Sequence, residues 1–198
     1  MGEALLVFSL GPVQSFIAEA RRTQDLWAGS LLLSQLMRAA LRSFREHGAH
    51  VIYPALVDAP SETETSANLP NKCFVRVDME ASARCARAAE EAVRQALRDL
   101  AEKAALEFPG PKDEVWWSAW RRQIDNHLEV YWAAAPLDGD YAESTRRVSR
   151  LFAACKRTRW FAQCVEDGEK DSLSGTRSAL HTSDLDGRTY WRQMAERI

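Results

Sequence analysis

Residues 4–10 form an almost unbroken apolar run, Ala4-Leu5-Leu6-Val7-Phe8-Ser9-Leu10. A run that short, rich in Leu, Val and Phe, predicts a strand buried on both faces. Gly11-Pro12 ends it, and proline suits the first turn of a helix. Phe16, Ile17 and Ala20 then predict a short helix. Thr23-Gln24-Asp25 interrupts, with Asp25 as candidate N-cap. A second helical stripe follows at Leu32, Leu33, Leu36, Met37, Ala40, Leu41 and Phe44, closed by His47-Gly48. Residues 51–56 read as a second strand, which Pro54 assigns to a sheet edge. Polar residues 57–71 read as a long hairpin loop. Residues 73–79 alternate as a third strand, with Cys73, Val75, Val77 and Met79 on one face.

Residues 82–108 carry the clearest helical period, at Ala86, Val93, Leu97, Leu100 and Ala104, and Pro109-Gly110-Pro111 stops it. Trp116, Trp117 and Trp120 fall on a short helix or turn. Residues 128–135 predict a fourth strand, ended by Pro136 and Asp138-Gly139-Asp140. The order strand, helix, strand, strand, helix, strand predicts an α+β, ferredoxin-like βαββαβ domain over residues 1–136, with first and third strands central and helices on one face. Residues 137–198 read as a helical and loop extension, the start of a following domain in a longer chain. Within it, residues 141–160 form a basic amphipathic helix. Its cations are Arg146, Arg147, Arg150, Lys156, Arg157 and Arg159, and its apolar side is Val148, Leu151, Phe152 and Cys155. Residues 165–187 read as loop and 190–198 as the start of another helix.

The 198 residues are 46% hydrophobic and 27% charged, which excludes wholesale disorder. Twenty-six Lys and Arg against twenty-eight Asp and Glu give a net charge of -2, so a globally basic nucleic-acid binder is not encoded. No apolar run approaches membrane-spanning length. With no secretory signal, a cytoplasmic protein is expected. Cys73, Cys85, Cys155 and Cys164 lack zinc-knuckle spacing and read as reduced, buried thiols. No metal site is expected. Trp27 and the tryptophan cluster read as core or domain contacts.

Chemistry concentrates at the turn after the first strand, Ser9-Leu10-Gly11-Pro12-Val13-Gln14-Ser15-Phe16. A strand end feeding a helix start presents N–H groups to a phosphate, and Gly11 permits close approach. Gln14 and Ser15 add side-chain hydrogen bonds. The bland alternative is a tight turn with nothing bound. Arg21, Arg22 and Asp25 follow closely, as supports for the cradle or as plain helix surface. The basic helix offers phosphate contacts to RNA, or a face for an acidic subunit, or a solvated surface.

The run Phe8-Ser9-Leu10-Gly11-Pro12-Val13-Gln14-Ser15-Phe16-Ile17 resembles the start of the first palm-like domain in the large subunit of type III-B CRISPR effector complexes. Ala20-Arg21-Arg22-Thr23-Gln24-Asp25-Leu26-Trp27-Ala28-Gly29-Ser30, Leu32-Leu33-Ser34, Ile52-Tyr53-Pro54 and Leu69-Pro70-Asn71-Lys72 continue the resemblance. Gly168-Glu169-Lys170-Asp171-Ser172-Leu173-Ser174-Gly175-Thr176-Arg177 resembles a later segment, where the family often has Cys in place of Asp171. The resemblance implies two palms folded together, the second holding metal ions with Gly-Gly-Asp-Asp and polymerising ATP into cyclic oligoadenylate. Many members also carry a His-Asp nuclease domain. Neither signature occurs here, and Ser9 stands near the position where active palms carry a metal-binding Asp. A hydroxyl does not replace a carboxylate for two Mg²⁺ ions.

The resemblance therefore implies a non-catalytic half of an ATP-binding cleft, with nucleotide contacts at Ser9, Gly11, Pro12, Val13, Gln14 and Ser15. Mg²⁺ or Mn²⁺ would be held by the second palm. Implied partners are that palm, the other subunits of the complex and, through the complex, guide and target RNA. The alternatives are a degenerate palm kept only for assembly, and a free-standing nucleotide cyclase. Against the last stands the lack of paired carboxylates at strand ends.

Overall fold

A computed structural model describes residues 2–55, 69–158, 166–172 and 174–197. Strand β1 (Glu3–Gly11) leads into helices α1 (Gln14–Ala18) and α2 (Thr23–Glu46). Strands β2 (His50–Tyr53) and β3 (Lys72–Asp78) follow, then helices α3 (Ser82–Glu107) and α4 (Glu114–Asp125), strand β4 (Glu129–Pro136), and helices α5 (Tyr141–Arg157) and α6 (Gly187–Ala195). The sheet runs β2-β3-β1-β4 with every pairing antiparallel. This is the ferredoxin-like order, with β1 and β3 central and β2 at an edge. The chain divides into two compact units, one of residues 1–96 and 129–160, the other of 97–128 and 161–198.

In the first unit, β1 is apolar from Ala4 to Phe8 because both of its faces are covered there. Leu5 and Val7 pack with Ala133 and Ala135 of β4 and with Val148 and Phe152 of α5. On the opposite face Phe8 meets Phe44 of α2 edge-on, ring centroids 5.4 Å apart. Helices were expected on one face only, with residues 137–198 as an extension. Instead α5, the first helix of that segment, lies across the second face, so the expected division after residue 136 falls inside this unit. The amphipathic stripe of α5 is what closes the sheet. Its N-cap is Asp140, whose carboxylate accepts from the Ala142 N–H at 3.0 Å.

The second unit is built around aromatic rings. Trp116 stacks on Trp120, with centroids 5.3 Å apart, and meets Trp117 edge-on at 5.1 Å. Ala105, Tyr190 and Met194 complete this core. The tryptophan cluster is therefore core, as expected, whereas Trp27 in the first unit is 68% exposed. Cys73 and Cys85 are buried, and burial pushes the Cys73 thiol up to about 12. Cys155, expected buried on the apolar side of its helix, is exposed, and Cys164 lies outside the described residues.

One polar network of the second unit is pH-sensitive. Arg177 Nη2 donates to His127 Nδ1 at 3.0 Å, which requires a neutral imidazole. Burial first, and then the Arg177 charge, hold the His127 pKa below its ordinary value. The unfolded chain therefore takes up this proton at a higher pH than the folded one. The contribution to stability is present above the unfolded value of about 6.5 and is lost as the pH falls below it. Melting followed by tryptophan fluorescence should show the second unit weakening between about pH 7 and pH 5. His127→Gln should flatten that slope, and an unchanged slope in the variant would remove His127 as its cause.

Candidate functional site

β1 ends at Gly11, and the Gly11–Pro12 peptide is cis. The chain then enters α1 through Val13, in helical conformation with no side-chain cap. The Val13 and Ser15 carbonyls accept from the N–H groups of Ile17 and Glu19 at 3.0 and 3.2 Å. Gln14 and Ser15 are exposed, while Gly11, Pro12 and Val13 are half-buried. Ser9 differs from these: it is 2% exposed and its hydroxyl donates to the Leu10 carbonyl at 3.5 Å.

The family-like blocks meet at this mouth. The Leu10 N–H donates to the Asn71 carbonyl at 2.9 Å, and Asn71 Nδ2 donates back to the Leu10 carbonyl at 3.3 Å. The Leu69 N–H donates to Ser34 Oγ at 3.2 Å, which ties the Leu-Pro-Asn segment to α2. A Cβ at Gly29 would lie 3.1 Å from the Phe16 ring, so that glycine lets α1 rest on α2. Asp25, expected as the N-cap of α2, sits one turn in. Its carboxylate accepts from the N–H groups of Arg21 and Arg22, at 3.2 and 3.0 Å, and so closes the helix start. Arg21 and Arg22 are exposed.

Register across the sheet brings in residues that the sequence reading did not name. Ser9 lies between Lys72 of β3 and Tyr131 of β4, and Gly11 lies opposite Glu129. The Tyr131 hydroxyl donates to Glu129 Oε2 at 3.0 Å, and a Cβ at Gly11 would stand 3.6 Å from that same oxygen. A carboxylate thus flanks the cradle, and it disfavours a phosphate placed directly on Gly11. Period-2 alternation along β4 puts Glu129 and Tyr131 on one face, but only the pairing register shows which residues they meet.

Of the basic helix, Arg147 pairs with Asp138 at 2.9 Å and approaches Glu143 at 3.9 Å, while Arg146 lies 4.0 Å from Asp140. Arg150, Lys156 and Arg157 are exposed along α5, and Arg159 lies outside the described residues. Among the described residues no group of three or more His, Cys, Asp or Glu side chains is arranged to hold a metal ion. In the second unit Asp171 closes its own loop, accepting from the Ser174 N–H at 2.6 Å, the Ser174 hydroxyl at 2.5 Å and the Arg177 N–H at 3.2 Å.

A four-stranded antiparallel sheet in this order, with helices after its first and third strands, is a ferredoxin-like domain. Residues 5–102 match the family model described as CRISPR-associated protein Cmr2, N-terminal. Over 109 residues the chain is 39% identical to the CRISPR system Cmr subunit Cmr2 of Pyrococcus furiosus. The match takes in 48% of this chain and spans only 12% of that relative. A solved structure of a bacterial light-regulated adenylyl cyclase aligns with 98% of this chain and 57% of its own, at TM-score 0.43 and 9% identity, a looser likeness than a shared fold requires. No helix among the described residues is long and apolar enough to cross a membrane.

Proposed function

We propose that this chain is the non-catalytic palm of an ATP-binding cleft in the large subunit of a type III-B CRISPR antiviral effector complex. The observation that carries the reading is the mouth of β1. Gly11 opens a half-buried backbone turn with Gln14 and Ser15 exposed beside it, and the neighbouring Ser9 is a buried hydroxyl bonded to its own strand. Such a mouth can bind a nucleotide but supplies no carboxylate pair for two-metal chemistry. Mg²⁺ or Mn²⁺ and the remaining contacts come from a second palm. The other subunits of the complex, and guide and target RNA through them, are the partners of the whole assembly, which acts in the cytoplasm.

Glu129 beside Gly11 favours a second reading, a degenerate palm that only supports assembly. One titration separates the two. Millimolar ATP with Mg²⁺ should shift the amide signals of Gly11, Val13, Gln14 and Ser15 while the nucleotide is recovered unpolymerised. Silent amides favour the assembly module, and oligoadenylate in the sample would overturn the non-catalytic assignment.

A further inference from the structure

Lys72 begins β3 and Lys156 stands in the last turn of α5, yet both ammonium groups lie over one ring. Their Nζ atoms are 5.2 and 5.4 Å from the centroid of Phe152. Lys72 is also 4.8 Å from the Phe74 ring, and Lys156 is 5.4 Å from the Tyr131 ring. Phe152 is 7% exposed and packed on the sheet, so the platform under the two charges is fixed by the core. Among the described residues neither lysine forms an ion pair with a carboxylate. Each cation gains from the ring face, but two like charges over one ring repel each other. An anion shared between them removes that repulsion and gains a charge-assisted hydrogen bond from each.

We propose that Lys72 and Lys156 form a two-point clamp for the phosphates of a nucleotide. The nucleotide part rests on the cleft reading above, whereas the phosphate part rests on the two ammonium groups alone. The position fits that ligand. Lys72 is the cross-strand neighbour of Ser9, two residues before Gly11, and Tyr131 is the neighbour on the other side. Glu129 makes the Gly11 side negative, and the lysines make the α5 side positive. That arrangement orients the nucleotide, with phosphates over the lysines and the uncharged end along residues 11–15. It also accounts for the carboxylate beside the cradle, because the backbone turn then meets the base or sugar and not the triphosphate.

The test uses the 198-residue chain with ¹³C-labelled lysine side chains, titrated in parallel with inorganic triphosphate, ATP and a short single-stranded RNA. Triphosphate and ATP should both shift the Lys72 and Lys156 Cε signals. Lys72→Gln and Lys156→Gln should each weaken binding about tenfold, the scale of one charged contact. The double variant should not bind triphosphate, and its circular dichroism should stay unchanged. If triphosphate leaves both lysine signals unmoved, or the double variant binds it as the wild type does, the clamp is overturned. If ATP still shifts the amides of Gly11, Val13, Gln14 and Ser15 in the double variant with unchanged affinity, the clamp fails and the cleft reading stands. If triphosphate shifts the lysines while ATP leaves those amides silent, the cleft reading fails and the anion site stands. RNA displacing triphosphate more readily than ATP does would overturn the nucleotide as the source of the phosphate.

Discussion

Phe8→Ala is expected to lower the unfolding free energy of the first unit by about 3–5 kcal/mol. Phe8 is fully buried in the central strand, with Cys73 opposite it on β3 and Trp132 on β4. Its ring meets Phe44 of α2 edge to face, 85° between planes. Such a pair adds about 0.5–1.5 kcal/mol to the burial itself. The void left by the ring is framed by hydrogen-bonded strands that cannot close inward, so collapse recovers little. Domains of this size hold about 5–15 kcal/mol in total, which makes the loss a large fraction of the whole. Urea unfolding followed by circular dichroism measures it. Tyr53→Ala, at the end of edge strand β2 and 48% exposed, is the control and should change stability by only about 0.5 kcal/mol. Equal effects at the two positions would contradict the central placement of β1.

Gly110→Ala should have a comparable effect in the second unit. Gly110 has φ of +129°, a conformation that L side chains rarely adopt. A Cβ there would stand 2.4 Å from Met194 Sδ and 3.4 Å from the Tyr190 hydroxyl. Neither side chain can withdraw freely, since both are fully buried and the Tyr190 hydroxyl donates to the Pro111 carbonyl at 3.1 Å. Backbone strain of about 1–3 kcal/mol and overpacking of similar size add to an expected loss of about 2–5 kcal/mol. Gly139→Ala separates the two terms. Its φ is +69° and nothing lies within 4 Å of the new methyl, so only the left-handed backbone penalty of about 1–2 kcal/mol applies. Tryptophan fluorescence reports the Gly110 variant well, because Trp116, Trp117 and Trp120 form the core it disturbs. A Gly110 loss no larger than the Gly139 loss would mean that Met194 does not fill that space.

Local pattern carried the elements. The apolar run of β1, the alternation of Cys73, Val75 and Val77 and the stripe of α2 all occur where their periods put them, because each is set by burial of one element's own face. Pro54 marked β2 as the edge strand for the reason that proline lacks an N–H for a second partner. What was not legible depends on long-range pairing. The Val148 and Phe152 stripe is plain in the sequence, but its destination on the second face of the sheet is not. Nor is the grouping of residues 97–128 with residues 161–198. The candidate site divides in the same way. Gly11 to Ser15 is a local strand-to-helix signal. Lys72, Glu129 and Tyr131 reach it only through a register that joins residues more than sixty positions apart. Asp25 was legible as a helix-start residue, and only the geometry distinguishes its reach back to Arg21 and Arg22 from an N-cap.

The most direct measurement is the amide spectrum of the isotope-labelled chain as ATP and Mg²⁺ are added. Saturable shifts centred on Gly11, Gln14 and Ser15, with the amides of α4 and α6 unchanged, are the expected result. A spectrum unmoved at those three positions, or one whose shifts gather in the second unit, would contradict a nucleotide-binding mouth at the end of β1.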